Sequence, residues 1–223
     1  MSSDNQPPCA PDPPLTCAVC PRLVGLRSEL RARHPDWFNA PVPSFGADDP
    51  RLLIVGLAPG MRGANRTGRP FTGDYAGDLL FETMLEFGFA EGAYAADPGD
   101  GLTLRQALIT NAVRCLPPEN KPTGAEIKAC RPYLLATLDQ APSLAAVLVL
   151  GRIAHDTFLT ALGMRKSAFP FSHGAEHTLP GPRPLRLFDS YHCSRYNTNT
   201  GRLTPAMFKS VFSRIRETLD REV

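Results

Sequence analysis

Excess charge is what this chain most plainly lacks. Over 223 residues, 24 basic side chains face 22 acidic ones, leaving +2 at pH 7. A polyanionic partner therefore has to be met by a local basic patch and not by a bulk polycation. No apolar run reaches transmembrane length, so no membrane partner is expected. The opening "MSSDNQPPCAPDPP" has no secretory signal. Residues 1–14 are expected to be disordered, residues 15–223 to form one domain, and the protein to be a cytoplasmic monomer. Without a secretion signal, the six cysteines at 9, 17, 20, 115, 130 and 193 are expected to serve a metal or catalysis and not a disulfide framework. No internal repeat is present. Nor is the G-x-x-x-x-G-K-[ST] pattern, which removes a nucleoside-triphosphate cradle.

What is present is an alternation. "RLLIVGLAP" (51–59), "QALITNAVRC" (106–115), "SLAAVLVLG" (143–151) and "PLRLFDSYH" (184–192) are apolar runs bounded by turn residues, and predict four strands. Helical spacing is predicted over 74–89, with Leu79, Leu80, Met84 and Phe87 on one face, and over 125–140 and 153–162. It is predicted again over 204–219, with Met207, Val211, Ile215 and Leu219 as its stripe. Strands alternating with helices make an α/β domain, an α/β/α sandwich on a mostly parallel four-stranded sheet. Such sheets bind ligands beyond the carboxyl ends of their strands. Three unusual polar clusters fall there: the loop 57–74, Asn111, and His192 with the polar stretch after it. Their convergence predicts an active site without reference to any family.

Each cluster admits a plain reading beside a functional one. The loop "GMRGANRTGRPFTGD" (60–74) has glycines that let backbone approach a bulky ligand, and Arg62, Arg66 and Arg69 to meet phosphate. It could equally be a surface loop with solvated arginines. Phe71 is either a core anchor or a platform for a flat base. Asp74 stands where a helix N-cap belongs, and it can also act chemically only if one carboxylate oxygen is left over. Asn111 offers a donor and an acceptor together, as a pyrimidine edge requires, or simply ends a strand. His192 precedes Arg195, Tyr196, Asn197, Asn199 and Arg202. The histidines at 34, 155, 173 and 177 have no such context and are taken as surface or core. Cys17 and Cys20 form C-x2-C, and Cys115 and Cys130 a C-x14-C pair; by spacing alone, zinc and an iron–sulfur cluster remain open.

Taken together, "GLAPGMRGANRTGRPFTGD", "TNAVRCLPPENKPT…C" and "H…NTNTGRLT" resemble the type B, or family 5, uracil-DNA glycosylases from about Cys17 to Phe208. The resemblance implies a [4Fe-4S] cluster on Cys17, Cys20, Cys115 and Cys130, with a structural role, and leaves Cys9 and Cys193 outside the set. It implies a base pocket formed by Leu57, Ala58, Pro59, Gly60, Phe71 and Asn111, with Phe71 stacking on a flipped base and Asn111 reading its edge. It assigns Asp74 to the sugar cation or the attacking water, and His192 to catalysis. Arg62, Arg66, Arg69, Arg195 and Arg202 would grip DNA phosphates, with Tyr196 beside Arg195 as a wedge. Two departures appear: Leu57 stands where family 4 enzymes carry an acidic residue, and Cys193 where proline usually follows the histidine. The implied activity is excision of uracil, and of other deaminated bases such as hypoxanthine and xanthine, as the first step of base excision repair. A non-catalytic or covalently trapping binder of uracil-containing DNA is the alternative, and a redox-sensing iron–sulfur protein a third.

Overall fold

The computed structural model of the protein describes residues 11–181 and 184–221; Cys9 and most of the stretch expected to be disordered lie outside them. In chain order the strands are β1 (Phe45–Gly46), β2 (Leu52–Gly56), β3 (Ala90–Glu91), β4 (Thr103–Leu104), β5 (Ala107–Asn111), β6 (Ala146–Leu150), β7 (Glu176–Leu179) and β8 (Leu185–Ser190). The α-helices are α1 (Pro21–Arg33), α2 (Ala64–Thr67), α3 (Tyr75–Glu86), α4 (Gly124–Asp139), α5 (Arg152–Ala161), α6 (Arg195–Asn199) and α7 (Pro205–Arg221). Among the described residues, no helix is long and apolar enough to cross a membrane.

The main sheet has the order β1-β5-β2-β6-β8-β7. Its centre is the four expected strands, all parallel. The sheet is wider than the expected four because β1 and β7 add short antiparallel edges. Neither could be read as an apolar run: one is two residues long and the other is "EHTL". Burial on both faces follows the alternation of side chains along each strand. Leu52, Ile54, Ile109, Leu148 and Phe188 pack on one side with Leu80, Met84, Val211 and Ile215 of α3 and α7. Leu53, Val55, Val147, Val149 and Leu187 pack on the other with Leu134 of α4 and Phe158 and Leu159 of α5. The closing helix centres on Phe208, Val211, Phe212, Ile215 and Leu219, while Met207 is only partly buried at its margin.

Helix starts follow their caps. Asp74 accepts from the Ala76 amide to open α3. Thr123 and Glu126 form a reciprocal capping box on α4, and Glu126 also pairs with Arg22 of α1 at 2.7 Å. Helix α1 has no matching sequence signal, because its inner face carries Leu23, Arg27 and Leu30, a charge in the middle of an apolar stripe. Ahead of it, Asp12 pairs with the buried Arg114 at 2.6 Å, and Arg114 also donates to the Pro11 carbonyl at 2.9 Å. Residues 11 and 12 are thus bonded to the segment after β5.

A buried His–Asp contact locks α5 to β8. Nδ1 of His155 lies 2.7 Å from Asp189 Oδ1, and its Nε2 lies 2.8 Å from the Phe169 carbonyl oxygen. Both ring nitrogens face acceptors, which only the doubly protonated imidazolium satisfies. Burial pulls its pKa down, but the Asp189 carboxylate and the Phe169 carbonyl outweigh burial, and the net direction is up. A raised folded-state pKa means that the stabilisation is complete below the ordinary imidazole range and is lost as pH rises through the raised value. His155→Gln should therefore melt well below the natural chain at about pH 6, with the gap narrowing towards about pH 9. Thermal melts across that range check it; a gap that stays constant would show that His155 is not the titrating group.

Candidate active site

Strand β2 ends at Gly56, directly opposite Asn111 at the end of β5. A Cβ at Gly56 would lie 2.4 Å from Asn111 Oδ1 and 3.0 Å from Phe71 Cζ. Glycine is therefore what lets the carboxamide and the ring reach the same sheet edge. The chain leaving β2 stays tied to the chain leaving β5: the Ala112 amide donates to Gly56 and the Val113 amide to Leu57, each at 2.9 Å.

Beyond this edge lies a cleft of about 430 Å³ lined by Leu57, Ala58, Pro59, Gly60, Phe71, Asp74, Asn111, His192 and Arg195. The structure thus brings together every residue expected to contact base or sugar. Tyr75, Asn120 and Ser194 line it too and have no part in the sequence reading. Asn120 has a discernible signal in retrospect. It follows Glu119, and both hold left-handed backbone, at φ 56 and 55, where asparagine is enriched.

Asn111 is 3% exposed, and among the described residues its carboxamide makes no hydrogen bond. Set in the wall of the cleft, its donor and acceptor are both free for a ligand. Phe71 is also buried, with left-handed backbone at φ 54, a conformation that costs a non-glycine residue on the order of 1 kcal/mol or more. Its ring lies 5.9 Å from that of His192, at 28° between planes. Among the described residues the His192 ring makes no hydrogen bond, and burial holds its pKa down at about 4. The imidazole is therefore neutral at physiological pH.

Asp74 divides its oxygens. Oδ1 accepts from the Ala76 amide at 3.2 Å, while Oδ2 is packed against Gly60 and Gly63, where added Cβ atoms would lie 2.8 and 2.1 Å away. The cap and the cleft-facing carboxylate are the same residue. Burial raises its pKa, against the pull of the Ala76 and Gly77 amides, and repulsion from Asp78 adds to the rise. Cys193, in place of the expected proline, is fully buried in the core.

The cationic residues separate into two groups. Arg62, Arg66, Arg195 and Arg202 are exposed, as phosphate contacts require. Arg195 sits over the Tyr75 ring at 5.2 Å and Arg202 over Tyr191 at 4.5 Å. Tyr196 is 71% exposed. Arg69 is a correction to the expected DNA contacts. It is 5% exposed and forms a bidentate pair with Asp100 at 2.8 and 2.7 Å, so its charge is spent inside the protein.

Past the end of β5, Cys17, Cys20, Cys115 and Cys130 line one pocket with Val113 and Arg114. Among the described residues, no three His, Cys, Asp or Glu side chains gather tightly enough to hold a metal ion. One guanidinium and one backbone amide reach these sulfurs. Arg27 Nη1 lies 3.8 Å from Cys115 Sγ, and the amide of Arg114 donates to Cys130 Sγ at 3.4 Å.

Comparison with known proteins agrees with this architecture. The family model described as the Uracil DNA glycosylase superfamily matches residues 43–216. A type-5 uracil-DNA glycosylase of Thermus thermophilus is 47% identical over 201 residues, covering 87% of this chain and 90% of that protein. Enzymes of the same name from Mycobacterium leprae and Pyrobaculum aerophilum are 43% and 39% identical, covering 88% and 90% of this chain and 88% of each relative. By fold, cleft and sequence, the chain belongs to the uracil-DNA glycosylase superfamily.

Proposed function

We propose that this chain is a uracil-DNA glycosylase that takes a deaminated nucleotide out of the duplex and hydrolyses its N-glycosidic bond, opening base excision repair. The observation that carries this reading is the carboxamide of Asn111, without a hydrogen-bond partner among the described residues and set in the cleft wall beside the Phe71 and His192 rings, with the Asp74 carboxylate in the same cleft. Such a bond cannot be reached inside stacked DNA, so the nucleotide has to be extruded into the cleft. Phe71 then supplies a stacking face, and Asn111 pairs with the base edge.

Bond cleavage builds positive charge on the sugar and negative charge on the departing base. Among the described residues lining the cleft, Asp74 is the one carboxylate. Its poorly solvated charge gains more from a nearby developing cation than a fully hydrated carboxylate would. His192, neutral because of burial, donates a hydrogen bond to the developing anion without carrying a competing charge. Leu57, in place of the acidic residue of family 4, leaves the role to Asp74. At about 430 Å³ the cleft has room for a bicyclic purine, which supports hypoxanthine and xanthine as further substrates. Base release from duplexes carrying each lesion is the direct test.

The four cysteines are proposed to hold a [4Fe-4S] cluster. The residues support it: all four cysteines line one pocket, and the buried guanidinium of Arg27 lies where it can offset thiolate charge at Cys115. When bound, the cluster would cross-link the segment before α1 to the segment after β5. The purified protein should contain iron and acid-labile sulfide in similar amounts and be brown; zinc without iron would overturn this assignment. Cys17→Ala should lose the cluster and solubility together, whereas Cys9→Ala should lose neither.

Asp74→Asn separates chemistry from capping. Asparagine caps helices about as well as aspartate, so stability and binding to uracil DNA should persist while the single-turnover rate falls on the order of 100-fold, ~2.7 kcal/mol of transition-state stabilisation. Asp74→Ala should cost a further ~1 kcal/mol of stability. A fully active Asp74→Asn enzyme would move the burden to His192 and a bound water. For the exposed arginines, Arg62→Ala and Arg195→Ala should weaken binding to all sequences equally, each lowering the salt slope by ~1. Titrations at several salt concentrations measure this, and an unchanged slope would remove that arginine from the DNA contact.

A further inference from the structure

The loop that carries Phe71 and Asp74 is held partly by itself, with the Thr67 hydroxyl donating to the Thr72 carbonyl at 3.0 Å and the Thr72 amide to the Arg69 carbonyl at 3.2 Å. Phe71 stands in left-handed backbone without being glycine, between Pro70 and Thr72, and its carbonyl accepts from outside the loop. The excursion between β3 and β4 supplies that contact. Asp100 takes both amino groups of Arg69 and also accepts from the amides of Ala95 at 2.9 Å and Leu102 at 3.0 Å. One carboxylate thus binds the loop and the excursion into one body. Tyr94, next to this pair, has its ring 4.7 Å from that of Phe81 on α3 and 5.9 Å from the Arg69 guanidinium carbon. Its hydroxyl donates to the Phe71 carbonyl at 3.3 Å.

That contact requires a gap in α3. A Cβ at Gly77 would lie 1.9 Å from the Phe71 carbonyl oxygen and 2.3 Å from the Tyr94 hydroxyl, so glycine is what allows both groups beneath the first turn. Burial pushes the Tyr94 phenol up to about 12, which keeps its proton, and hence the donor, in place at ordinary pH.

We propose that Tyr94 is a positioning residue for base excision: through its hydrogen bond to the Phe71 carbonyl it fixes the backbone turn that aims the Phe71 ring into the cleft. The inference rests on the reading of Phe71 as a group that meets the base.

Tyr94→Phe removes the hydroxyl and keeps the ring. On a uracil-containing duplex it should slow the single-turnover rate about five- to tenfold, the scale of one lost hydrogen bond, with an unchanged melting temperature and unchanged affinity for uracil-free DNA. The double variant with Phe71→Leu should be no slower than Phe71→Leu alone, because Tyr94 acts through Phe71. A natural rate in Tyr94→Phe, a rate loss that tracks a fallen melting temperature, or additive losses in the double variant would each overturn the proposal. Phe71→Leu by itself keeps the two readings apart. If it is slow while Tyr94→Phe is not, only the positioning role falls; if it runs at the natural rate, the assignment of Phe71 falls as well.

Discussion

A polar, glycine-rich loop of this length cannot be buried on its own terms, because its backbone groups and charges need partners that a hydrophobic core does not provide. The Arg69–Asp100 pair meets that constraint. With 5% and 1% of the two side chains exposed, neither charge could exist alone where it sits; the guanidinium also holds the Thr72 hydroxyl at 2.7 Å, and aromatic rings of Phe45 and Phe81 surround it. Hydrogen bonding to Arg69 drives the Asp100 pKa far below the ordinary carboxylate range, so this carboxylate stays ionised well into the acid range. The cleft is shaped because this pair keeps its most irregular wall from relaxing into solvent.

On that fixed wall, glycines decide how close the working groups come. Gly56 admits Asn111 and Phe71 to one edge, and Gly60 and Gly63 admit the second oxygen of Asp74. Each replaces a side chain with space, and each space is taken up by a polar or aromatic group of the cleft. Burial then does the electrostatic work: it raises Asp74 and lowers His192. The carboxylate is left poorly solvated and the imidazole uncharged, which is the combination that a separating cation and anion require.

Much of this was legible in sequence. The four central strands, the capping position of Asp74 and the convergence of Phe71, Asn111 and His192 follow from apolar runs, turn residues and the rule that ligands bind at strand ends. What escaped has identifiable physical causes. Arg69 reads like its neighbours Arg62 and Arg66 because its partner lies 31 residues further on, and nothing local announces the pairing. Helix α1 hides because Arg27 occupies a core position for the sake of Cys115. The edges β1 and β7 are too short or too polar to stand out. Asn120 is placed by backbone strain, which residue type hints at but does not determine. His155, which reads as either surface or core, lies in the core, and its two ring contacts depend on acceptors brought to it by two other parts of the chain.

The end of β5 serves two masters. Asn111 faces the cleft and Cys115, four positions later, faces the cysteine pocket; the run between them is clamped to the chain leaving β2 by the Ala112 and Val113 amides and buried on both sides. Such a run has no slack. A substitution that loosens the cysteine end is transmitted along a few peptide units to the carboxamide, and one that shifts the carboxamide is resisted by whatever holds the thiols.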